Sequence, residues 1–492
     1  MSIEKKIQTE YEALLNELAY FSIEDTFYVI WAIENNLQFN IPLPSDIETP
    51  KEFDPTLDRQ YRRIKFIPEW ELEFLLLYST VKNTKLVTPY SLRTFSNLAH
   101  IINRIRIINN LLEEKHLSPS KIVLKELFRI AHRQFKWQEL INTHHIYRYY
   151  KIFNHATIRA ILKEEFGFNT HDLLMTGLLV FNGFIKAPIT ILPVKSEIDF
   201  ISNEMVSKFF DLFSYKLEST NKLIGQLPDL NEQLFYNFNP LQKYPIIISG
   251  SKAFCPITTH LLWRITNGLY YDLKNKKGFD QAFGESFQEF TGEVLRKTLT
   301  NNYLIQPEFV YSKPEKRTSD WIITKDDTTV FIECKTKRLK IGSKTQLIND
   351  DDIQDDIKLM AKFIFQGYKA INDILNNCLP ELSINSKSST YLVISTLEDW
   401  FIYLCSEFEH LLETEIRSLF QKSSLSEALI KEIPFSILSI GQIERHFQVI
   451  NSYGFKEYFT RLSNNNLNEI TENFYYKQLF IKEFQEMFPS KT

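Results

Sequence analysis

The first half of the chain carries apolar residues at spacings of three and four, the pattern of amphipathic helices. The pattern is clear in EWELEFLLLYSTV at 69–81 and in FSNLAHIINRIRIINNLLEE at 95–114. A further segment, SPSKIVLKELFRIAHRQF, begins with Ser and Pro, which favour a helix N-cap and first turn. No repeat of fixed period is present. Residues 1 to about 240 are therefore predicted to be mostly helical.

The pattern changes near residue 240. YPIIISGSKAFCPI at 244–257 predicts a short hairpin around its Gly-Ser pair. After one more helical segment, the polar stretch KNKKGFD at 274–280 favours a linker. We place the domain boundary there, with a mostly helical region over 1–275 and a second domain, extended by C-terminal helices, over 276–492.

The second domain shows alternating helical and strand patterns. After a predicted helix and strand come two strands that form a hairpin, then a long helix and another strand, which gives the order αβββαβ. A further strand is predicted in the helical C-terminal extension. In chain order, the predicted elements are a helix at 281–300, strands at 302–311, 319–324 and 329–336, a helix at 357–375, and strands at 390–396 and 435–440.

Composition restricts the class of protein. At 492 residues the chain exceeds the usual size of one domain, and 44% of its residues are apolar, enough for a core, so a largely disordered chain is excluded. Only 13 residues are glycine, and neither GxxxxGKS/T nor GxGxxG occurs, which argues against the common phosphate-binding loops. The net charge of −4 neither favours nor excludes nucleic acid, because a basic groove can be local.

Cysteine usage and hydropathy favour a reduced, cytoplasmic protein. The four cysteines, Cys255, Cys334, Cys378 and Cys405, lie far apart without a CxxC pair, which argues against a structural zinc site. The polar N-terminus does not resemble a signal peptide. The longest apolar run, at 173–184, is too short to span a bilayer.

One stretch of the second domain, SDWIITKDDTTVFIECKTK at 319–337, places charges where a buried strand favours valine or isoleucine. Its central Lys-Asp-Asp-Thr predicts a turn. A turn centred between the two aspartates sets Asp320 opposite Glu333, with Cβ atoms about 4.5–5.5 Å apart. Because strand side chains alternate, Glu333 and Lys335 share one face of the sheet, and Cys334 takes the other face with its apolar neighbours.

Two carboxylates opposed on a sheet repel each other, and a divalent cation between them turns the repulsion into binding. Mg²⁺ accepts one or two carboxylates together with waters and substrate phosphate. It lowers the pKa of a bound water and stabilises the leaving oxygen of a phosphodiester. Lys335 can position the attacking water or stabilise transition-state charge. Asp320, Glu333 and Lys335 therefore indicate a site for Mg²⁺ or Mn²⁺.

These residues resemble the motif of the PD-(D/E)XK nucleases, a superfamily that includes many restriction endonucleases. The motif is an Asp at the start of one strand and Glu or Asp, any residue and Lys on the next, here Asp320 and Glu333-Cys334-Lys335. The family core is αβββαβ with a mixed sheet, and the resemblance covers about residues 280–400. It implies a metal ion held by Asp320, Glu333 and the backbone carbonyl of Cys334, with Lys335 orienting the water.

Many members add a glutamate from the first helix, often in a GxxFE context. The matching stretch here is GESFQE at 284–289, so Gln follows Phe where the family has Glu. Glu289 is the chosen catalytic and metal-binding candidate and Glu285 the reserve, since residues four apart share a helix face. Some members also use a Gln from the second core helix, for which Gln366 is the supporting candidate.

The spacing Glu-x-Lys alone is not specific, because it also occurs at Glu4 and at Glu113 in helical segments. The strand context and the paired Asp320 distinguish the stretch at 319–337. The structural alternative is an ordinary exposed hairpin with a cross-strand pattern of Glu and Lys.

A basic stretch follows the motif. Four side chains, Lys337, Arg338, Lys340 and Lys344, lie just beyond the strand end, where they can contact a nucleic-acid phosphate backbone. A solvated loop of mixed charge is the alternative, and the acidic run at 350–356 fits the start of a helix better than a second metal site.

Three other candidates carry less weight. The mixture of Arg, Lys and aromatic residues at 132–153 can stack bases, although core aromatics with long basic side chains are more common. His144 and His145 are adjacent, so they do not face the same way on a helix. Cys334 points to the packed face, which argues against a catalytic thiol.

The sequence thus predicts a helical N-terminal region followed by a restriction-endonuclease-like α/β domain that hydrolyses phosphodiester bonds with a metal ion. DNA is favoured over RNA as the partner, and no membrane is involved. A large helical region fused to such a domain is typical of bacterial anti-phage defence proteins, and it offers surface for a partner protein or a second copy. An RNA-cleaving enzyme, and a non-catalytic nucleic-acid or protein-binding module on the same fold, are the alternatives.

Overall fold

The computed structural model describes residues 1–50, 67–82, 87–116, 122–138, 142–219, 239–312, 316–345, 351–376, 389–472 and 474–488. The chain forms two compact units. Unit 1 comprises Met1–Asn142, Arg159–Asn275 and Thr345–Ile348, and unit 2 comprises Thr143–Ile158, Lys276–Lys344 and Asn349–Thr492. One division falls between Asn275 and Lys276, inside the predicted linker. The sequence analysis places residues 143–158 in the helical region, but they belong to unit 2.

Helices make up most of the described chain. In chain order they are α1 (Ile3–Leu18), α2 (Ile23–Phe39), α3 (Glu69–Lys82), α4 (Phe95–His116), α5 (Ile122–Gln138), α6 (Thr143–Phe153), α7 (Ala156–Phe166), α8 (Thr170–Lys186), α9 (Asn203–Phe213), α10 (Thr258–Ile265), α11 (Leu269–Leu273), α12 (Phe279–Thr298), α13 (Ile341–Thr345), α14 (Asp351–Leu375), α15 (Ser406–Gln421), α16 (Ala428–Glu432), α17 (Ile440–Ser463), α18 (Asn468–Thr471) and α19 (Ile481–Glu486). None of the helices in the described ranges has the length and apolar character that a membrane crossing requires.

The strands are β1 (Ile189–Ile191), β2 (Ser214–Lys216), β3 (Ile246–Ser249), β4 (Lys252–Phe254), β5 (Leu304–Pro307), β6 (Val310–Ser312), β7 (Lys316–Arg317), β8 (Trp321–Lys325), β9 (Thr328–Lys335), β10 (Ser389–Thr396) and β11 (Phe435–Ser439). They form a four-stranded sheet in unit 1, a five-stranded sheet in unit 2, and the two-stranded ribbon β6–β7.

Unit 1 is mainly helical, as the apolar spacing predicts. Leu14, Ile30, Leu75 and Ile101, one from each of the first four helices, are fully buried in its core. The small sheet has the strand order β1-β4-β3-β2. Its strands β3 and β4 pair antiparallel and confirm the predicted hairpin near 244–257.

The sheet of unit 2 has the strand order β11-β10-β9-β8-β5. The strands β9, β10 and β11 run parallel, while β8 pairs antiparallel with both β9 and β5. The sheet is therefore mixed, and the helix α12, the strands β5, β8 and β9, the helix α14 and the strand β10 follow one another in the predicted order αβββαβ. The ribbon β6–β7 is an insertion between β5 and β8.

Helices cover both faces of this sheet. On one face, α12 packs against β9 and buries Phe287, Phe290 and Val294 completely. On the other face, α14 lies so close to β10 that a Cβ atom on Gly367 would be 2.7 Å from Leu392. Because side chains alternate along a strand, successive residues of β8 and β9 face α12 and α14 in turn.

The helix α6 supplies part of the core of unit 2. The ring of Phe153 lies 5.5 Å from the ring of Phe283 in α12. Arg148 makes a two-point ion pair with Glu444 of α17, with Nε–Oε1 at 3.2 Å and Nη2–Oε2 at 2.6 Å. Both side chains of the pair are buried. The aromatic residues of this helix are thus mainly core residues, which favours the structural interpretation of 132–153.

The packing of α12 on β8 yields a testable expectation. The indole of Trp321 rests on Gly292, where an added Cβ would lie 2.1 Å from Cζ2. Gly292→Ala is therefore expected to lower the free energy of unfolding by about 1–3 kcal/mol through overpacking, as measured by urea denaturation. In the control Gly284→Ala, no atom lies within 4 Å of the added Cβ, and a gain of up to about 1 kcal/mol is expected. Equal effects at both positions would contradict the close contact.

Candidate functional site

The register of the hairpin β8–β9 confirms the sequence prediction. Trp321 pairs with Ile332 and Lys325 with Thr328, so the turn is centred between Asp326 and Asp327. Asp326 has a positive φ of 52°, a conformation that Asp tolerates better than most residues. One step beyond the last pair, the same register sets Asp320 opposite Glu333.

Asp320, Glu333 and Lys335 come together at the end of this hairpin. The backbone N–H of Cys334 donates to Oδ2 of Asp320 at 2.6 Å. The ammonium of Lys335 lies 3.1 Å from Oε2 of Glu333. The side chains of Glu333 and Lys335 are only 11% and 20% exposed, so both charged groups are mostly buried.

Burial and neighbouring charges shift the pKa values of Asp320 and Lys335. Burial and the neighbouring Glu333 carboxylate raise the pKa of Asp320 to about 7, against the smaller opposing effects of the Cys334 N–H and Lys335. Burial by itself would lower the pKa of Lys335, but the carboxylates of Glu333 and Asp320 outweigh it and raise that pKa. The site therefore holds one firmly charged ammonium beside a carboxyl group that ionises reluctantly.

Lys335 and Cys334 occupy opposite faces of the sheet, as predicted. The ammonium of Lys335 lies 5.3 Å from the ring centre of Phe363, which belongs to α14. The thiol of Cys334 bonds instead with the hydroxyl of Thr291 in α12, and burial raises its pKa well above the ordinary value. Only the backbone of Cys334 belongs to the acidic face, so the side chain is unsuited to act as a nucleophile.

The pairing of β5 with β8 places near Asp320 a carboxylate that the sequence analysis did not select, and a bulge follows directly. The N–H of Glu308 donates to the carbonyl of Asp320 at 2.8 Å, whereas the N–H of Thr318 donates to the carbonyl of Phe309 at 3.1 Å. Ser319 is thus an extra residue on its strand. The Glu308 carboxylate contributes to the raised pKa of Asp320. The sequence signal would have been the pairing of β5 with β8, which sets Glu308 opposite Asp320.

The structure does not bring the predicted glutamates of the first helix into this group. Glu285 and Glu289 are exposed on α12, the helix on the Cys334 face of the sheet. Glu285 accepts a hydrogen bond from Gln281 at 2.9 Å and lies 3.6 Å from Nε2 of His155. Gln366 is exposed on α14, the helix that also carries Phe363.

Most of the side chains predicted to contact nucleic acid are already bonded to other side chains of the protein. Lys340 pairs with Asp352 and Asp355 at 3.1 and 2.9 Å, and Lys344 pairs with Glu398 at 2.6 Å. Arg338 is buried and donates to the hydroxyl of Tyr149 at 3.3 Å. Lys337 is exposed. The cationic character of this stretch is therefore mostly neutralised.

The donor set suits a hard divalent cation. In the described ranges, no group of three or more His, Cys, Asp or Glu side chains is placed to hold a metal ion, and this finding also covers His144 and His145. Asp320 and Glu333 provide two opposed carboxylates, and the charge of Glu333 contributes to the raised pKa of Asp320. Mg²⁺ needs no more than one or two carboxylates, because waters and substrate phosphate complete its octahedron. These residues therefore fit Mg²⁺ or Mn²⁺.

No protein-family model, curated protein or solved structure matches this chain. The function is therefore argued from the geometry and electrostatics of the site.

Without metal, the Asp320 carboxylate should make the stability of the protein depend on pH. A folded-state pKa of about 7 exceeds the ordinary value of about 3.9 in an unfolded chain. The folded state therefore binds the proton more tightly, and the resulting stability is present below about pH 4 and lost as the pH rises through about 7. Asp320→Asn, which cannot ionise, is expected to be increasingly more stable than wild type across this interval.

The measurement is urea denaturation of both proteins in EDTA at several pH values. Asp327→Asn, at the exposed turn of the same hairpin, is the matched control and should follow wild type. A stability difference between wild type and Asp320→Asn that stays constant with pH would show that Asp320 titrates normally.

Proposed function

We propose that the chain is a metal-dependent nuclease of the restriction-endonuclease-like class, which hydrolyses phosphodiester bonds. The proposal depends on one observation: Asp320 and Glu333 are opposed on adjacent strands, and the ammonium of Lys335 lies beside them. The order αβββαβ around this hairpin supports the same conclusion. An ordinary surface hairpin would gain nothing from holding two carboxylates and a lysine together in a mostly buried position.

In this proposal Asp320 and Glu333 hold the cation, and the backbone carbonyl of Cys334 is the further oxygen donor. The bound ion supplies charge stabilisation at the phosphate and a more acidic water. The N–H of Cys334 fixes the position of one oxygen of Asp320. Glu333 and the ring of Phe363 hold the Lys335 ammonium, which provides positive charge where the transition state becomes more negative.

DNA is the favoured polymer because the motif resembles that of restriction endonucleases, and a role in bacterial anti-phage defence in the cytoplasm is part of the proposal. RNA is the alternative substrate, since the same chemistry cleaves either backbone. A non-catalytic binding module is the alternative function. A module that only binds has no need to retain the set of Asp320, Glu333 and Lys335.

The test is incubation of the purified protein with linear, circular and single-stranded DNA and with RNA, in Mg²⁺, Mn²⁺ or EDTA. Cleavage that needs either ion and stops in EDTA is expected. The polymer that is cut separates the DNA hypothesis from the RNA hypothesis. Binding without cleavage of any substrate in either metal would favour the module instead.

A further inference from the structure

The helix α14 presents three exposed lysines along one side. Lys358 and Lys362 are four residues apart and Lys369 follows seven residues later, so at 100° per residue they lie within about 40° of each other around the helix. Together they extend about 16 Å along the helix axis. All three side chains are exposed. We call these three residues the lysine row.

The acidic residues of the same helix bond to other partners. Asp352 and Asp355 bind Lys340. Asp356 accepts hydrogen bonds from the N–H of Lys340 at 2.7 Å and the hydroxyl of Ser343 at 2.6 Å. These bonds engage the carboxylates at the start of α14 with the segment before the helix.

The carboxylate at the other end of the helix is engaged in the same way. Asp373 binds Lys316 and the hydroxyl of Tyr311, both at 2.8 Å. Asp355 and Asp373 are near enough to interact electrostatically with Lys358 and Lys369. Among the described residues, however, no carboxylate oxygen lies within 4.0 Å, the limit for an ion pair, of any ammonium nitrogen in the lysine row. The row therefore keeps positive charge available for an external anion.

The helix that carries the lysine row also contacts the proposed active site. Phe363, the residue after Lys362, is the one whose ring lies 5.3 Å from the Lys335 ammonium. One helix therefore contacts the site through Phe363 and carries the row about 100–140° further around its axis.

We propose that Lys358, Lys362 and Lys369 bind the phosphate backbone of the nucleic acid that the site cleaves. This inference rests on the proposed nuclease function and identifies its substrate-binding surface. Lysines on one helix face contact successive phosphates without reading bases, so the row positions the substrate and carries no sequence preference. It takes the role that the sequence analysis assigned to Lys340 and Lys344, whose charges are used within the protein.

The experiment measures binding of a short fluorescein-labelled DNA duplex, and of a single-stranded RNA of the same sequence, in EDTA at several salt concentrations. The variant replaces all three lysines of the row by Gln. For duplex DNA each phosphate contact contributes about 0.9 to the slope of log affinity against log salt, and for single strands about 0.7. Loss of three contacts should reduce the slope by about 2.7 for the duplex or about 2 for RNA. The nucleic acid, DNA or RNA, for which the triple variant loses more affinity relative to wild type is identified as the substrate polymer.

A matched variant replaces Lys422, Lys431 and Lys456, three exposed lysines of unit 2 outside α14, by Gln. It removes the same charge and should leave the slope unchanged. With Mg²⁺ or Mn²⁺ present, the variant of the lysine row should have a higher KM than wild type and a kcat near the wild-type value. Equal slopes for the two triple variants, or no binding of either polymer by wild type, would overturn the inference. Absence of cleavage in every metal, with a slope that still depends on the row, would instead overturn the proposed nuclease function.

Discussion

Lys335→Ala is expected to abolish phosphodiester cleavage while leaving the fold and metal binding in place. The protonated amine has no lone pair for a metal ion, and its ammonium stabilises charge that develops only in the transition state. Loss of one such donor typically lowers the rate about 100- to 1,000-fold. Cleavage rate against metal concentration measures the effect, and the metal concentration at half-maximal rate should stay close to that of wild type.

Two further variants make this prediction specific. Lys335→Arg should also be a poor enzyme, because a planar guanidinium cannot take the place of a compact ammonium between Glu333 and Phe363. Lys325→Ala, at the turn end of the same hairpin and with its ammonium 4.4 Å from the ring centre of Tyr303, should cut normally. Unchanged cleavage by Lys335→Ala would mean that β8 and β9 form an ordinary hairpin.

Asp320→Ala should fail in a different way, by losing the metal ion itself. The variant keeps Glu333 but loses one of the two opposed carboxylates that would hold the ion between the strands. Isothermal titration with Mn²⁺ is expected to detect heat of binding for wild type and none for Asp320→Ala. Raising the Mn²⁺ concentration should not restore cleavage.

The control for this variant is Asp327→Ala, which removes an exposed carboxylate from the turn of the same hairpin. Its Mn²⁺ titration should match that of wild type. Circular dichroism checks that the sheet is retained in both. Wild-type affinity in Asp320→Ala would place the metal ion elsewhere and remove Asp320 from the site.

The central pair of the site was predictable because its geometry is local. A two-residue turn and the alternation of strand side chains fix which residues face each other, and both are visible between Asp320 and Lys335. The pairing of β5 with β8 depends on chain segments separated by the ribbon β6–β7. Glu308 and the bulge at Ser319 were therefore missed.

The basic residues show a second limit of sequence reasoning. In the linear sequence, Lys340 and Lys344 resemble an unpaired cationic patch. Folding brings Asp352, Asp355 and Glu398 to them. Neutralisation by distant carboxylates is a tertiary effect that spacing does not reveal. The lysine row was missed for the same reason. Its charge stays available because Lys316 and Lys340 form ion pairs with the acidic residues of the same helix.

The membership of α6 in unit 2 bears on how this protein is made. Phe153 packs on Phe283 and also lies 6.5 Å from the ring of Phe279, yet it is synthesised well before either. Domains generally fold as units during synthesis, from the N-terminus onward, but unit 2 cannot complete its core until the ribosome has passed α12. A gene fragment that begins at Lys276 would lack the Phe153 ring that packs against Phe279 and Phe283. Unit 2 is therefore not a module that evolution or an experimenter can detach with a single cut.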